Sequence, residues 1–192
     1  MAQPKIVIFA GSSRKDSLNK KLAKFVSKQV DAADAEAQFI DLADYKIPLY
    51  DGDLEASEGL PSDVVSLKSK FKAADGLVIC SPEYNGSITP LLKNTIDWCS
   101  RPGEDKTSML AFSGKYSAIL GTSPGALGGL RALRHLEDIL TGIGVTVIPK
   151  QLAIGSGGSA FDDNGDLNDP KKVERLNGIV STLVETLRKL NS

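Results

Sequence analysis

The residues whose types and spacing suit chemistry fall in three short stretches rich in glycine, hydroxyls and amides. The first is Gly11-Ser12-Ser13-Arg14-Lys15-Asp16-Ser17-Leu18-Asn19, which follows an apolar run and precedes a helical pattern. Free N–H groups at a helix start and the positive end of its dipole favour an anion, phosphate above all. Arg14 can add charge-assisted hydrogen bonds. A polar capping loop would have the same composition, so both readings stand at this point. The second stretch, Pro82-Glu83-Tyr84-Asn85-Gly86-Ser87, combines a rigid turn, an aromatic ring, an amide and a permissive glycine. It suits the edge of a flat heteroaromatic ring, because glycine lets backbone N–H groups come close and tyrosine packs beside a ring plane. The third, Gly121-Thr122-Ser123-Pro124-Gly125-Ala126-Leu127-Gly128-Gly129, leaves room through its small side chains. Each is a weak signal alone. Together they describe a pocket.

Several chemistries lack their residues. The first loop has no GxGxxG, and Gly114-Lys115-Tyr116 lacks both the upstream glycine and the following Ser/Thr of a nucleotide P-loop. Cys80 and Cys99 are the only cysteines and form no CxxC; Cys80 also lacks the arginine that a phosphatase-like thiolate loop requires, so both are expected to be packed, reduced thiols. His135 is the sole histidine, expected at the surface or an interface, which leaves little for a triad or a metal centre. Asp162, Asp163, Asn164 and Asp166 lack the glycine and glutamate of a calcium loop and read as a surface turn. With no acid–base constellation, we assign no catalytic residue and no metal ligand. Hard chemistry would come from a cofactor.

These loops need elements to hold them. Lys5–Ala10 reads as a strand buried on both faces, as in a parallel sheet. Ser17 is placed to cap a helix from Leu18, with Leu22, Phe25, Val26 and Val30 inward and Lys20, Lys21, Lys24 and Lys28 outward. Strands over Ala37–Leu42, Leu77–Ser81, Tyr116–Gly121 and Val145–Ile148 alternate with helices over Ser62–Ala74, Pro90–Ser100 and Ala126–Ile143. A last helix opens at Asp169-Pro170, with Val173, Leu176, Val180, Leu183, Val184, Leu187 and Leu190 as its buried stripe. Five strands alternating with five helices give a single doubly wound α/β domain over residues 1–192. A ligand then belongs at the carboxyl ends of the strands, on the loops after strands one, three and four.

Composition agrees with an ordinary globule: 41% hydrophobic and 24% charged residues, net charge −1, and no run of like charges that would attract nucleic acid. The apolar run after the N-terminus is too short for a signal peptide or a membrane span, so a cytoplasmic location is expected.

The chain resembles the NADPH-dependent FMN reductases, a family with quinone, chromate and azo reductase members. The resemblance spans nearly the whole sequence. It rests on Gly11–Asn19 read as GSxRxxSxN, on Pro82–Ser87 followed by Leu92-Lys93-Asn94-Thr95-Ile96-Asp97-Trp98, on Pro48-Leu49-Tyr50-Asp51 and on the Gly121–Gly129 loop. It implies a flavodoxin-like three-layer fold with strand order 2-1-3-4-5 and non-covalent FMN. Ser12, Arg14, Ser17, Leu18 and Asn19 would hold the phosphate; Pro82, Glu83, Tyr84, Asn85 and Gly86 would border the ring, with Ser123 on its other side. It further implies ping-pong hydride transfer from NADPH or NADH to quinones, chromate, azo compounds or flavins. A homodimer or homotetramer is expected, with Lys93–Trp98, Arg101 and Leu127–Ile143 as interface candidates. Thr89-Pro90 stands where relatives often carry Pro-Gly, a departure expected to touch the pocket wall and not the cradle. The competing readings are a flavodoxin-type electron carrier and a non-catalytic flavin sensor. A carrier would benefit from a single-signed surface, whereas 23 basic and 24 acidic residues nearly cancel here.

Overall fold

The structure is a computed structural model that describes residues 3–103 and 106–191. Its frame is a parallel sheet. The first strand, β1 (Lys5–Ala10), pairs on one side with β2 (Glu36–Ile40) and on the other with β3 (Gly76–Cys80), which continues to β4 (Tyr116–Thr122). Beyond β4 lie two short strands, β5 (Thr146–Val147) and β6 (Leu152–Ile154), both parallel to it. The order is β2-β1-β3-β4-β5, with β6 also on β4.

Ile6, Val7, Ile8 and Phe9 have no exposed surface, because alternate side chains enter different cores. Ile6, Ile8 and Ala10 pack with α1 (Leu18–Ala32) and α6 (Pro170–Leu190). Val7 and Phe9 pack with α3 (Ser62–Ala73), α4 (Pro90–Ser100) and α5 (Leu130–Gly142). Phe9 stacks on Phe71 at 5.1 Å between ring centres, and Phe71 meets Phe112 at 5.8 Å, which ties the strand to the second helical layer.

Four features differ from the sequence expectations. The expected fifth strand over Val145–Ile148 is interrupted, since Pro149 has no N–H to donate and Lys150 turns the chain at φ 70°; the edge therefore continues as β6. A further helix, α2 (Gly52–Glu58), is capped by Asp51 and buries no residue, so it carries no amphipathic signal. The helix expected over Ala126–Ile143 starts at Leu130, because Gly128 and Gly129 both have positive φ. Lys20, assigned to the solvent face of α1, is buried, while Leu190 of the expected buried stripe is 57% exposed at the helix end.

The chain runs outward from β1 to β2 and returns to β3 on the opposite side of β1. This reversal puts the topological switch point, where open α/β sheets bind their ligands, at the carboxyl ends of β1 and β3.

Candidate active site

Loop Gly11–Ser17 leaves β1 at that switch point. Its base is fixed: the Gly11 N–H donates to Cys80 O at 3.0 Å, and Thr89 Oγ1 donates to Gly11 O at 2.7 Å. Thr89 also accepts from the Leu92 N–H at 3.1 Å, as the cap of α4. Thr89 thus braces the base of the Gly11–Ser17 loop while it starts α4. Ser17 caps α1 by accepting from the Lys20 N–H at 3.4 Å, and Ser12 Oγ accepts from the Arg14 N–H at 3.3 Å. Arg14 is exposed, and its guanidinium has no partner among the described residues. The N–H groups of Leu18 and Asn19, first in the helix, likewise find no acceptor there. Ser12, Arg14, Ser17, Leu18 and Asn19 therefore sit together as unspent donors around a helix start.

Tyr84 and Ser87 form a two-residue hairpin turn, with N–H to O distances of 2.9 and 3.1 Å. Asn85 at φ 51° and Gly86 at φ 83° take the left-handed conformations such a turn needs. Their own N–H groups have no acceptor among the described residues. Glu83 turns away from this tip. It accepts from Arg131 Nε at 2.6 Å, from the Arg131 N–H at 3.1 Å and from the Ala132 N–H at 3.3 Å, and pairs with the Arg131 guanidinium. Burial alone would raise its carboxyl, but Arg131 and the two backbone donors outweigh that and hold it below the ordinary carboxylate value. Since Gly129 offers α5 no side-chain cap, Glu83 caps that helix from a distance. His135 is exposed one turn further along, its Nδ1 at 3.0 Å from Ser87 Oγ.

The loop after β4 is locked to the first loop. Asn19 Nδ2 donates to Thr122 O at 2.8 Å, and Asn19 Oδ1 accepts from the Thr122 N–H at 3.0 Å. Its side chain joins the start of α1 to the end of β4, 103 residues apart, and leaves its backbone N–H unpaired. Ser123 is half-buried, its N–H on Ile154 O at 3.3 Å and its own carbonyl accepting from the Gly157 N–H at 2.8 Å.

The Pro48–Asp51 segment packs along α4. Asn94 holds it with both amide groups, accepting from the Tyr50 N–H and donating to Pro48 O, each at 2.8 Å; Trp98 Nε1 donates to the same carbonyl at 2.8 Å. Tyr50 donates to Glu55 Oε2 at 2.9 Å, and Arg101 Nε reaches Glu55 at 2.9 Å. The Arg101 guanidinium holds the Glu55 carboxyl low, and Glu55 in turn raises the Tyr50 phenol. Sequence reasoning missed Thr89, Thr122, Arg131 and Lys20 as site-building residues. Thr89 carried a signal, a hydroxyl residue before proline at a helix start; the others act through partners that no local pattern reveals.

This donor set fits a phosphate-bearing planar group. Cys80 and Cys99 are buried, which pushes both thiols up, that of Cys99 to about 12. No group of three or more His, Cys, Asp or Glu side chains is placed to hold a metal ion among the described residues, and no helix there is long and apolar enough to cross a membrane. A concavity of about 660 Å³ lies apart from the three loops, between α2, α3 and residues 102–103.

A doubly wound parallel sheet with unpaired donors at its switch point is the form of a cofactor-binding α/β protein. The chain belongs to the NADPH-dependent FMN reductase family, which it matches over residues 4–159, and so to the oxidoreductases that use FMN with NAD(P)H. It is 41% identical to an NAD(P)H-dependent FMN reductase of Pseudomonas aeruginosa over 79% of this chain and 80% of that protein. It is 33% identical to a quinone reductase of Escherichia coli over 96% of each. The solved structure of a flavoenzyme NAD(P)H:(acceptor) oxidoreductase from Paracoccus denitrificans superimposes with TM-score 0.83 and 32% identity, covering 97% of this chain and 98% of that one.

Proposed function

We propose that the protein is a single-domain, cytoplasmic NAD(P)H:acceptor oxidoreductase that delivers two electrons to quinones or other small oxidants. The observation that carries this reading is the set of unpaired donors at the α1 start, Arg14 with the Leu18 and Asn19 N–H groups, at the same sheet edge as the Asn85-Gly86 tip. Bound FMN supplies hydride acceptance and hydride release. The chain's own residues bind and orient it. Ser12, Ser17, Arg14, Leu18 and Asn19 hold the phosphate; the free N–H groups of Asn85 and Gly86 meet the ring edge, with Pro82, Tyr84 and Ser123 beside it. Glu83 contributes by fixing this loop on α5. Such preorganised N–H groups favour negative charge on a ring without a side-chain base.

The acceptor class follows from the relatives, among them the quinone reductase of Escherichia coli: oxidants of that kind need only two electrons and solvent protons. A homo-oligomer completes the reading: Leu49, Tyr84, Leu127 and Leu130 are exposed large apolar residues on the site-forming loops and at the start of α5, suited to a second copy. Anaerobic stopped-flow absorbance tests the activity. NADPH or NADH should bleach the flavin band of the FMN-loaded protein, and benzoquinone should restore it in one step. Failure of both nucleotides to bleach it overturns the reading.

A further inference from the structure

Lys20 is a residue that the reaction leaves unused and that the fold buries against expectation. It lies in the first turn of α1, yet its side chain is only 7% exposed. A buried ammonium needs partners. It has Asp41, whose carboxylate oxygens stand 2.7 and 2.8 Å from Nζ, and Ser13, whose carbonyl accepts at 3.2 Å. Asp41 is itself fixed, capping the turn Leu42–Asp44 by accepting from the Ala43 N–H at 2.9 Å. The lysine therefore ties the loop after β1 to the loop after β2.

The Ser13–Arg14 peptide is gripped at both ends: its oxygen by Lys20 Nζ, its N–H by Ser12 Oγ at 3.3 Å. That grip matters at an anion site. A peptide plane that rotates exchanges a donor for an acceptor, and a carbonyl turned toward a phosphate repels it. A buried ion pair adds little to stability compared with apolar packing, so its value lies in fixing one geometry. Resting on the assignment of the phosphate to Gly11–Asn19, we infer that Lys20 is a positioning residue for phosphate recognition: from behind the loop it holds the Ser13 carbonyl away from the cradle without touching the ligand.

The test is titration of the full-length apoprotein with FMN and with riboflavin, which lacks the phosphate, read by flavin fluorescence quenching. Lys20→Met leaves Asp41 without its cation, so Lys20→Met/Asp41→Asn is made beside it; removing both charges preserves the fold, and asparagine keeps the Ala43 cap. Both should bind FMN about tenfold more weakly, the scale of a single charge-assisted hydrogen bond, with riboflavin affinity changed by less than about twofold. Asp41→Asn alone retains Lys20 on Ser13 O and should keep the wild-type preference for FMN. Equal weakening of both flavins in the double variant, or an unchanged preference, overturns the role of Lys20. Arg14→Met separates this from the underlying assignment. If it abolishes the preference while the Lys20 variants do not, only the Lys20 proposal falls; if the wild type shows no preference and Arg14→Met changes nothing, the phosphate assignment falls.

Discussion

Replacing Glu83 by alanine tests whether this residue is a strut or a ligand contact. Its carboxylate is 8% exposed and supplies the cap that Gly129 cannot, through the N–H groups of Arg131 and Ala132. Loss of a helix cap costs about 1 kcal/mol. The Arg131 pair is discounted, since that guanidinium is 63% exposed, and adds about 0.5 kcal/mol. Loosening of the turn behind Tyr84 brings the expected destabilisation to about 2 kcal/mol. In a domain of this size that lowers the melting temperature by about 4–8 °C. The assay is thermal unfolding of the apoprotein by circular dichroism at neutral pH, with Glu83→Gln expected to fall about halfway because it keeps one acceptor. The deficit also has a pH signature. The folded carboxyl lies below its ordinary value, so its stabilisation is complete above the unfolded pKa and vanishes as pH falls through the lower, folded one. Wild type and Glu83→Ala should therefore converge in acid. An apoprotein that melts within about 1 °C of wild type at neutral pH, but has lost FMN affinity, would refute the strut and make Glu83 a direct contact.

Three further outcomes follow from the geometry. Asn19→Ala strands the Thr122 N–H and C=O in a buried junction and should cost about 2–4 kcal/mol, read as a lower urea midpoint; Asn19→Asp should be no better, because a carboxylate cannot donate to Thr122 O. Gly128→Ala would place a Cβ 2.5 Å from the Ile154 backbone at a φ of 63°, so a loss of about 3 kcal/mol or insolubility is expected, checked by denaturant unfolding of the soluble fraction. Cys80 and Cys99 should resist dithionitrobenzoate at mildly alkaline pH in the native protein and react promptly in urea, because burial disfavours both thiolates; fast native labelling would contradict it.

The functional assignment also accounts for the near balance of charge. A reductase of small diffusible molecules needs no protein-docking field, and the proposed phosphate site calls only on local cations, Arg14 in the Gly11–Ser17 loop and Lys20 behind it.

Some of this was legible in the sequence because it depends on neighbours. Ile6–Ala10 must be buried on both faces whatever surrounds it, Ser17 caps α1 from its own position, and Asn85-Gly86 selects its turn by the conformations it permits. The GSxRxxSxN pattern likewise placed its donors at one helix start, which the structure has at Leu18. The periodicity of α6 placed Leu176, Val180, Leu183, Val184 and Leu187 in the core, while Val173 is half-buried, Leu190 is exposed at the helix end and Ile179 joins the stripe unannounced. What tertiary structure alone decided are the partners of polar side chains. The side chain of Asn19 has no partner visible in the sequence until β4 brings Thr122 to it, nor has that of Glu83 until α5 presents its bare N-terminus; Lys20 reads as solvated until Asp41 closes over it. A helix or strand follows from periodicity within one segment. A hydrogen bond between residues far apart in sequence exists only once the sheet order has set which loops meet, so the same polar side chain can bind ligand, cap a helix or fasten a neighbouring strand.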